Sequence, residues 1–260
     1  MSYKVCLLLL LLSTNCYSQE KGPSSDRNKN RFAEFDSDLQ LMRSLSSQST
    51  NVRTYSPPSA SEKVSAEDLR LPPKAVHELE RSQKAYQLGD LRGSATHLEK
   101  ALVIDPQYWP AHTLLGKLYV SLHEYDRAVG EFRKASAGQP FAVEPMNRLS
   151  ATLFLLERYP EAESVARATL QVDPASAETR YILGCALVAQ QSFTTETVEQ
   201  LRQSSSQIPN ARLVLASVLY TRGALAEAAA ELRAYLEVPG APGKEQVQSW
   251  LARLTRKPIN

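Results

Sequence analysis

The chain has 260 residues, 43% of them hydrophobic, which suffices for a sizeable core in one or two domains. Thirty Lys and Arg stand against 28 Asp and Glu, a net charge of +2, a balance that gives no support for a nucleic-acid binder, which normally shows a basic face or stripe. Ten glycines include no G-x-G, so a glycine-rich phosphate loop is absent; four His and three Cys, two of these within the first 16 residues, are too few for a multi-ligand zinc site, and no cofactor is expected.

Met1–Ser18 reads as an export signal. Lys4 supplies a short positive start, and Val5, Cys6 and Leu7–Leu12 form an apolar run of eight. Eight residues are too few to span a bilayer core, which needs about 20. Cleavage after Ser18 places small residues, Ser18 and Cys16, at the positions a signal peptidase reads. A periplasmic or secreted location is therefore expected. Cys16 allows a second reading, a lipid anchor on that thiol, which resembles bacterial lipoprotein signals only in part. Those prefer Leu three places before the Cys and a small residue directly before it, where this chain has Ser13 and Asn15. Once residues 1–18 are removed, Cys185 is the one cysteine left, so the fold must be held by packing and not by an internal disulfide.

Residues 19–63 hold ten Ser, the pair Pro57 and Pro58, and only Phe32, Phe35 and Tyr55 as aromatics. Such a composition buries too little apolar surface to offset the entropy of ordering, and a disordered linker is expected. Within it, Phe32, Phe35, Leu39 and Met42 share the spacing of one helical face.

From residue 75 the chain is periodic. Residues 75–108, 109–142 and 143–176 form three blocks of 34, each with proline at its thirty-second place: Pro106, Pro140 and Pro174. Ser94, Ala128 and Ala162 stand at the twentieth place. A shorter fourth block covers 177–208 and a fifth 209–242, where Gly223 repeats the fifteenth-place Gly89 of the first. Within a block the apolar spacing is that of two helices. In the second, Leu115, Leu118, Tyr119 and Leu122 precede a turn at His123 and Glu124, and Ala128, Phe132 and Ala135 follow. Gly116 and Ala128 fall where the two helices must cross closely. After Gly240–Gly243, the stripe Val247, Trp250, Leu251 and Leu254 marks a last helix over 244–256. A repeat array exposes an apolar face at its end, and such a helix would cap it, with Trp250 as packing.

These blocks resemble tetratricopeptide repeats. The second carries the full signature: Leu115, Gly116, Tyr119, Ala128, Phe132, Ala135 and Pro140. The first keeps Leu98, Ala101 and Pro106 but has Arg81, Ser82 and Ala85 at the early places. The third has Ser150 in place of glycine. The fourth has Leu183 and Gly184, with Glu196, or Thr197 after a one-residue slip, where alanine is usual. The resemblance implies an all-α solenoid of about five helix-turn-helix repeats over 64–256, closed by the capping helix. It also implies a groove lined from the first helix of each repeat. On those places stand the candidate binding residues Tyr86, Lys117, Asn147, Phe154, Tyr181 and Tyr220.

The residues argue against catalysis. No H-E-x-x-H, C-x-x-C or G-x-S-x-G occurs, and Cys185 has no evident His partner, so neither catalytic nor metal residues are assigned. The family's carboxylate clamp, used on acidic chaperone tails, is also absent. Its places hold Leu79, Gln83, Leu114, Glu144 and Arg148, of which only Arg148 matches. The expectation is a non-catalytic scaffold outside the cytoplasm that takes a protein or peptide partner, with no nucleic acid and no small-molecule substrate. The alternative is an accessory factor of an outer-membrane or pilus assembly, tethered through Cys16.

Overall fold

The computed structural model describes residues 71–255. The export signal, Cys16, the 19–63 linker and its Phe32–Met42 stripe lie outside the described residues. Among the described residues there are eleven helices and no strand. They fall in two compact units, whose described parts run over 71–174 and 175–255. The first holds α1 (Pro73–Gln87), α2 (Leu91–Ile104), α3 (Trp109–Ser121), α4 (Tyr125–Gly138), α5 (Val143–Leu155) and α6 (Tyr159–Val172). The second holds α7 (Ala177–Ala189), α8 (Thr195–Ser204), α9 (Asn210–Thr221), α10 (Leu225–Leu236) and α11 (Lys244–Thr255).

The first helix of every repeat ends in one way. Gly89, His123, Glu157, Gln191 and Gly223 all take left-handed backbone, with φ between 58° and 78°. The next amide then reaches back five residues: Asp90 to the Ala85 carbonyl, and likewise Glu124 to Tyr119, Arg158 to Leu153, Ser192 to Leu187 and Ala224 to Leu219, at 2.8–2.9 Å. This closes orphan carbonyls at the helix end and turns the chain sharply. In the first unit the second helices end on Asp105, Gln139 and Asp173, each before a proline that forces its predecessor out of helical backbone. Side chains cap several starts: Asp90 accepts from the Gly93 amide at 2.8 Å, and Ser176 and Thr194 cap α7 and α8 in the same way.

Volume complementarity holds the two helices of a repeat together. A methyl added at Gly116 would sit 2.6–2.9 Å from the Phe132 ring, and one at Gly184 would sit 2.7 Å from Leu201. Ala216 and Leu232 make the corresponding pair in the fifth repeat. Serine replaces glycine in the first repeat, and the buried Ser82 hydroxyl is satisfied by Ser94 at 2.9 Å. Residues that look degenerate in sequence thus form their own compensated pair. In the fourth repeat Thr197, not Glu196, is the buried residue, and its hydroxyl donates to the Ser192 carbonyl. The one-residue slip carries Leu201 into contact with Gly184.

Trp250 and Val247 of α11 are buried with Ala216, Leu232 and Tyr235 in one cluster. Two polar contacts fix the approach of this last helix. The Tyr235 hydroxyl donates to the Pro242 carbonyl at 2.9 Å, and Lys244 Nζ donates to the Leu236 carbonyl at 2.6 Å. No described helix is long and apolar enough to cross a membrane.

Candidate functional site

The six sequence candidates separate by burial. In the first unit Tyr86 on α1 and Lys117 on α3 are half-buried, while Asn147 and Phe154 on α5 are buried, Phe154 completely. The Phe154 ring centroid lies 5.1 Å from that of Tyr159, at the start of α6. In the second unit Tyr181 is buried and Tyr220 half-buried. A ring without accessible surface adds no contact area to a ligand. Asn147, Phe154 and Tyr181 therefore stand in the packing, because neighbouring elements cover the helix face on which their spacing puts them. Among the residues still presented on the first unit's first helices are Gln83, Tyr86, Lys117, Val120 and Ser121, with the exposed Glu144 at the start of α5. Lys117 forms an ion pair with Glu144, which also meets Arg148 at 4.0 Å.

A second set of polar residues was not singled out by motif. The fourth and twenty-third places of each repeat face each other across its two helices. Glu78 meets His97 at 2.7 Å, His112 meets Glu131 at 2.6 Å, and Arg212 meets Glu231 at 2.9 Å. Arg180 reaches Gln200 at 2.9 Å in the slipped fourth repeat. The third repeat has Met146 and Val165 at these places. A period of 34 combined with this 19-residue offset would have pointed to them. Along the second helices runs another series, Arg127 with Glu99 at 2.7 Å, Arg133 with Glu161 at 2.8 Å and Arg202 with Glu227 at 3.1 Å. These pairs are solvent-exposed, where water and salt screen them and leave each little to contribute.

In the first unit the end of α2, the start of α3 and α4 enclose a cleft of about 320 Å³. Leu102, Val103, Trp109 and Leu115 supply its apolar lining, and Glu99, Glu131 and Lys134 its charges. Val103 is 82% exposed at its edge. The Trp109 indole lies flat on Gly138, where a Cβ would fall 2.0 Å from the ring. Tyr119 donates to Glu99, and its phenol is held well above the ordinary range, first by burial and then by that carboxylate.

Nucleophile chemistry has little support among the described residues. Cys185 is fully buried, and burial pushes its thiol far up, so the reactive thiolate is suppressed. The Tyr181 phenol is raised by the same burial. No cluster of three His, Cys, Asp or Glu that could hold a metal ion occurs among the described residues.

A tetratricopeptide-repeat family model matches residues 79–143 and 196–244. The unmatched stretch holds the third repeat, which has Ser150 for glycine, and the first part of the slipped fourth. No curated protein matches the chain in sequence. Among solved structures, MamA from Desulfovibrio magneticus RS-1, from residue 41 to its end, is 20% identical with a TM-score of 0.60, over 64% of this chain and 96% of that one. PilF of Pseudomonas aeruginosa is 21% identical with a TM-score of 0.59, over 70% and 84%. YrrB, a TPR protein with an unusual peptide-binding site, is 18% identical with a TM-score of 0.57, over 68% and 91%. At these identities the likeness speaks for the fold. The family match, the repeated left-handed turns and the small residue set against a large one in the second, fourth and fifth repeats agree, and the chain carries tetratricopeptide repeats, a fold that supports a protein-interaction scaffold and is generally non-catalytic.

Proposed function

We propose that the chain works outside the cytoplasm as a scaffold that holds a peptide or protein on the first-helix face of the 71–174 unit. The observation that carries this reading is the partial exposure of Tyr86, Lys117 and Val120 on successive first helices, with Lys117 held in place by Glu144. An aromatic ring with a polar tip beside an anchored ion pair suits an extended chain that brings both apolar side chains and backbone polar groups. YrrB gives a precedent for peptide binding on this fold. Export rests on the sequence of Met1–Ser18 alone.

A photo-crosslinking residue at Tyr86 and at Lys117, introduced in the native host, tests the face. Both positions should capture the same partner, and Thr96, exposed on α2, should not. Equal capture at Thr96 would refute the assignment. Mass spectrometry of the mature N-terminus tests the location. A chain beginning at Gln19 supports export, a diacylglyceryl group on Cys16 supports the tethered alternative, and a retained Met1 removes both.

A further inference from the structure

The buried ring of His112 has acceptors on both sides. Its Nδ1 lies 2.6 Å from Glu131 Oε2, and its Nε2 lies 3.0 Å from the Pro106 carbonyl. A carbonyl can only accept. Burial pushes the Glu131 carboxyl up, but hydrogen bonds from His112 and Lys134 more than offset this and hold it below the usual range, so it too is an acceptor. A neutral imidazole has one N–H and satisfies one of the two, whereas the imidazolium satisfies both. The Trp109 ring stacks on His112 with centroids 6.0 Å apart and planes 27° apart, and an indole face favours a cation.

The three attachment points belong to different parts of the unit. Pro106 ends the first repeat, His112 sits on α3 and Glu131 on α4. The equivalent pair in the first repeat, Glu78 with His97, bridges only the two helices of its own repeat. We propose that His112 is a proton-dependent clip that joins the end of the first repeat to both helices of the second, and that loss of one ring proton releases one attachment and loosens this junction. The charged groups that line the cleft together with His112 are Glu99 from α2 and Glu131 and Lys134 from α4. Glu99 is itself engaged by Tyr119 and Arg127, and Lys134 by Glu131. Glu131 is thus the counter-charge in direct contact.

The test is nitrogen-15 NMR of the histidine rings in the full chain, followed over the range in which imidazoles change charge, about pH 5 to about pH 8, with amide hydrogen exchange recorded in parallel. His112 should carry two ring N–H groups at the acid end. Loss of one should coincide with a fall of about tenfold in protection of the amides from Ala111 to Leu115, the size expected for one lost hydrogen bond. Protection in α9 of the second unit should stay level. His112→Gln should abolish the pH response, while His97→Gln should leave it intact. A single ring N–H across the whole titration overturns the proposal, and so does deprotonation without loss of protection. If His112→Gln does not fold, the ring spectrum and exchange of the unsubstituted chain decide alone.

Discussion

Gly116→Ala is the sharpest test of how the repeats are packed. The new methyl would sit 2.6, 2.8 and 2.9 Å from three carbons of the Phe132 ring, against an ordinary contact of 3.4–4 Å. Phe132 has no accessible surface, so the ring has no open space into which to retreat. Overpacking of this kind costs ~1–3 kcal/mol. Helix propensity acts in the opposite sense, since alanine is favoured over glycine by about 1 kcal/mol inside a helix. Gly130→Ala separates the two effects. Gly130 lies in α4 of the same unit, and a methyl there meets nothing within 4 Å. Both variants gain the propensity term and only one meets the ring. The difference between them is therefore the steric cost alone, ~1–3 kcal/mol, with Gly130→Ala the more stable. Urea unfolding followed by far-ultraviolet circular dichroism measures it. Adding Phe132→Leu to Gly116→Ala should recover part of the loss, because the two residues share one space. Equal stability of the two alanine variants, or a more stable Gly116→Ala, would refute the idea that helix separation is set at this crossing.

Glu157→Gly should stabilise the first unit by roughly 0.5–1 kcal/mol, read as a raised urea midpoint, since the left-handed turn strains a residue with a Cβ. Tyr159→Phe should gain about 1 kcal/mol, because the tyrosine hydroxyl is buried without a hydrogen-bond partner; a loss would reveal a bond the fold supplies. Phe154→Ala should lower the melting temperature sharply, at ~3–5 kcal/mol for an emptied aromatic core site, whereas an unchanged melting temperature would return the ring to the surface. Glu131 has a depressed folded-state pKa, so its contribution is present above the ordinary carboxylate range and lost as pH falls through the folded value; the urea midpoint of the first unit should drop below about pH 4.5, and less steeply in Glu131→Gln.

The period was legible because each structural duty falls on one place of the repeat. Proline at the thirty-second place ends α2, α4 and α6, and in the second and fifth repeats a small residue at the eighth admits a large one at the twenty-fourth. Which side of a helix is covered is not a property of the place. Tyr86 and Phe154 both hold the twelfth place of their repeats, yet one is half-buried and the other fully buried. Spacing fixes the direction of a side chain along its own helix. Whether a further helix lies over that direction depends on residues distant in sequence. Left-handed turns were hidden for a related reason: glycine marks two of the five, and His123, Glu157 and Gln191 accept the same backbone because the surrounding helices impose it.

The pairs between the fourth and twenty-third places show what the repeat leaves free to vary. The geometry brings two side chains together there, but acid and base exchange sides between the first and second repeats, and the third has Met146 and Val165 at these places. A contact that tolerates either polarity order, or none, is not needed to make the helices pack. It can therefore take on local duties at little cost to the fold. Only in the second repeat does the histidine of this pair also meet a carbonyl from the preceding repeat, which turns an internal bridge into a link between repeats. The apolar lining of Leu102, Val103 and Trp109 surrounds that same point. The His112 link thus sets the junction of the first two repeats apart, and its loss should be felt there first.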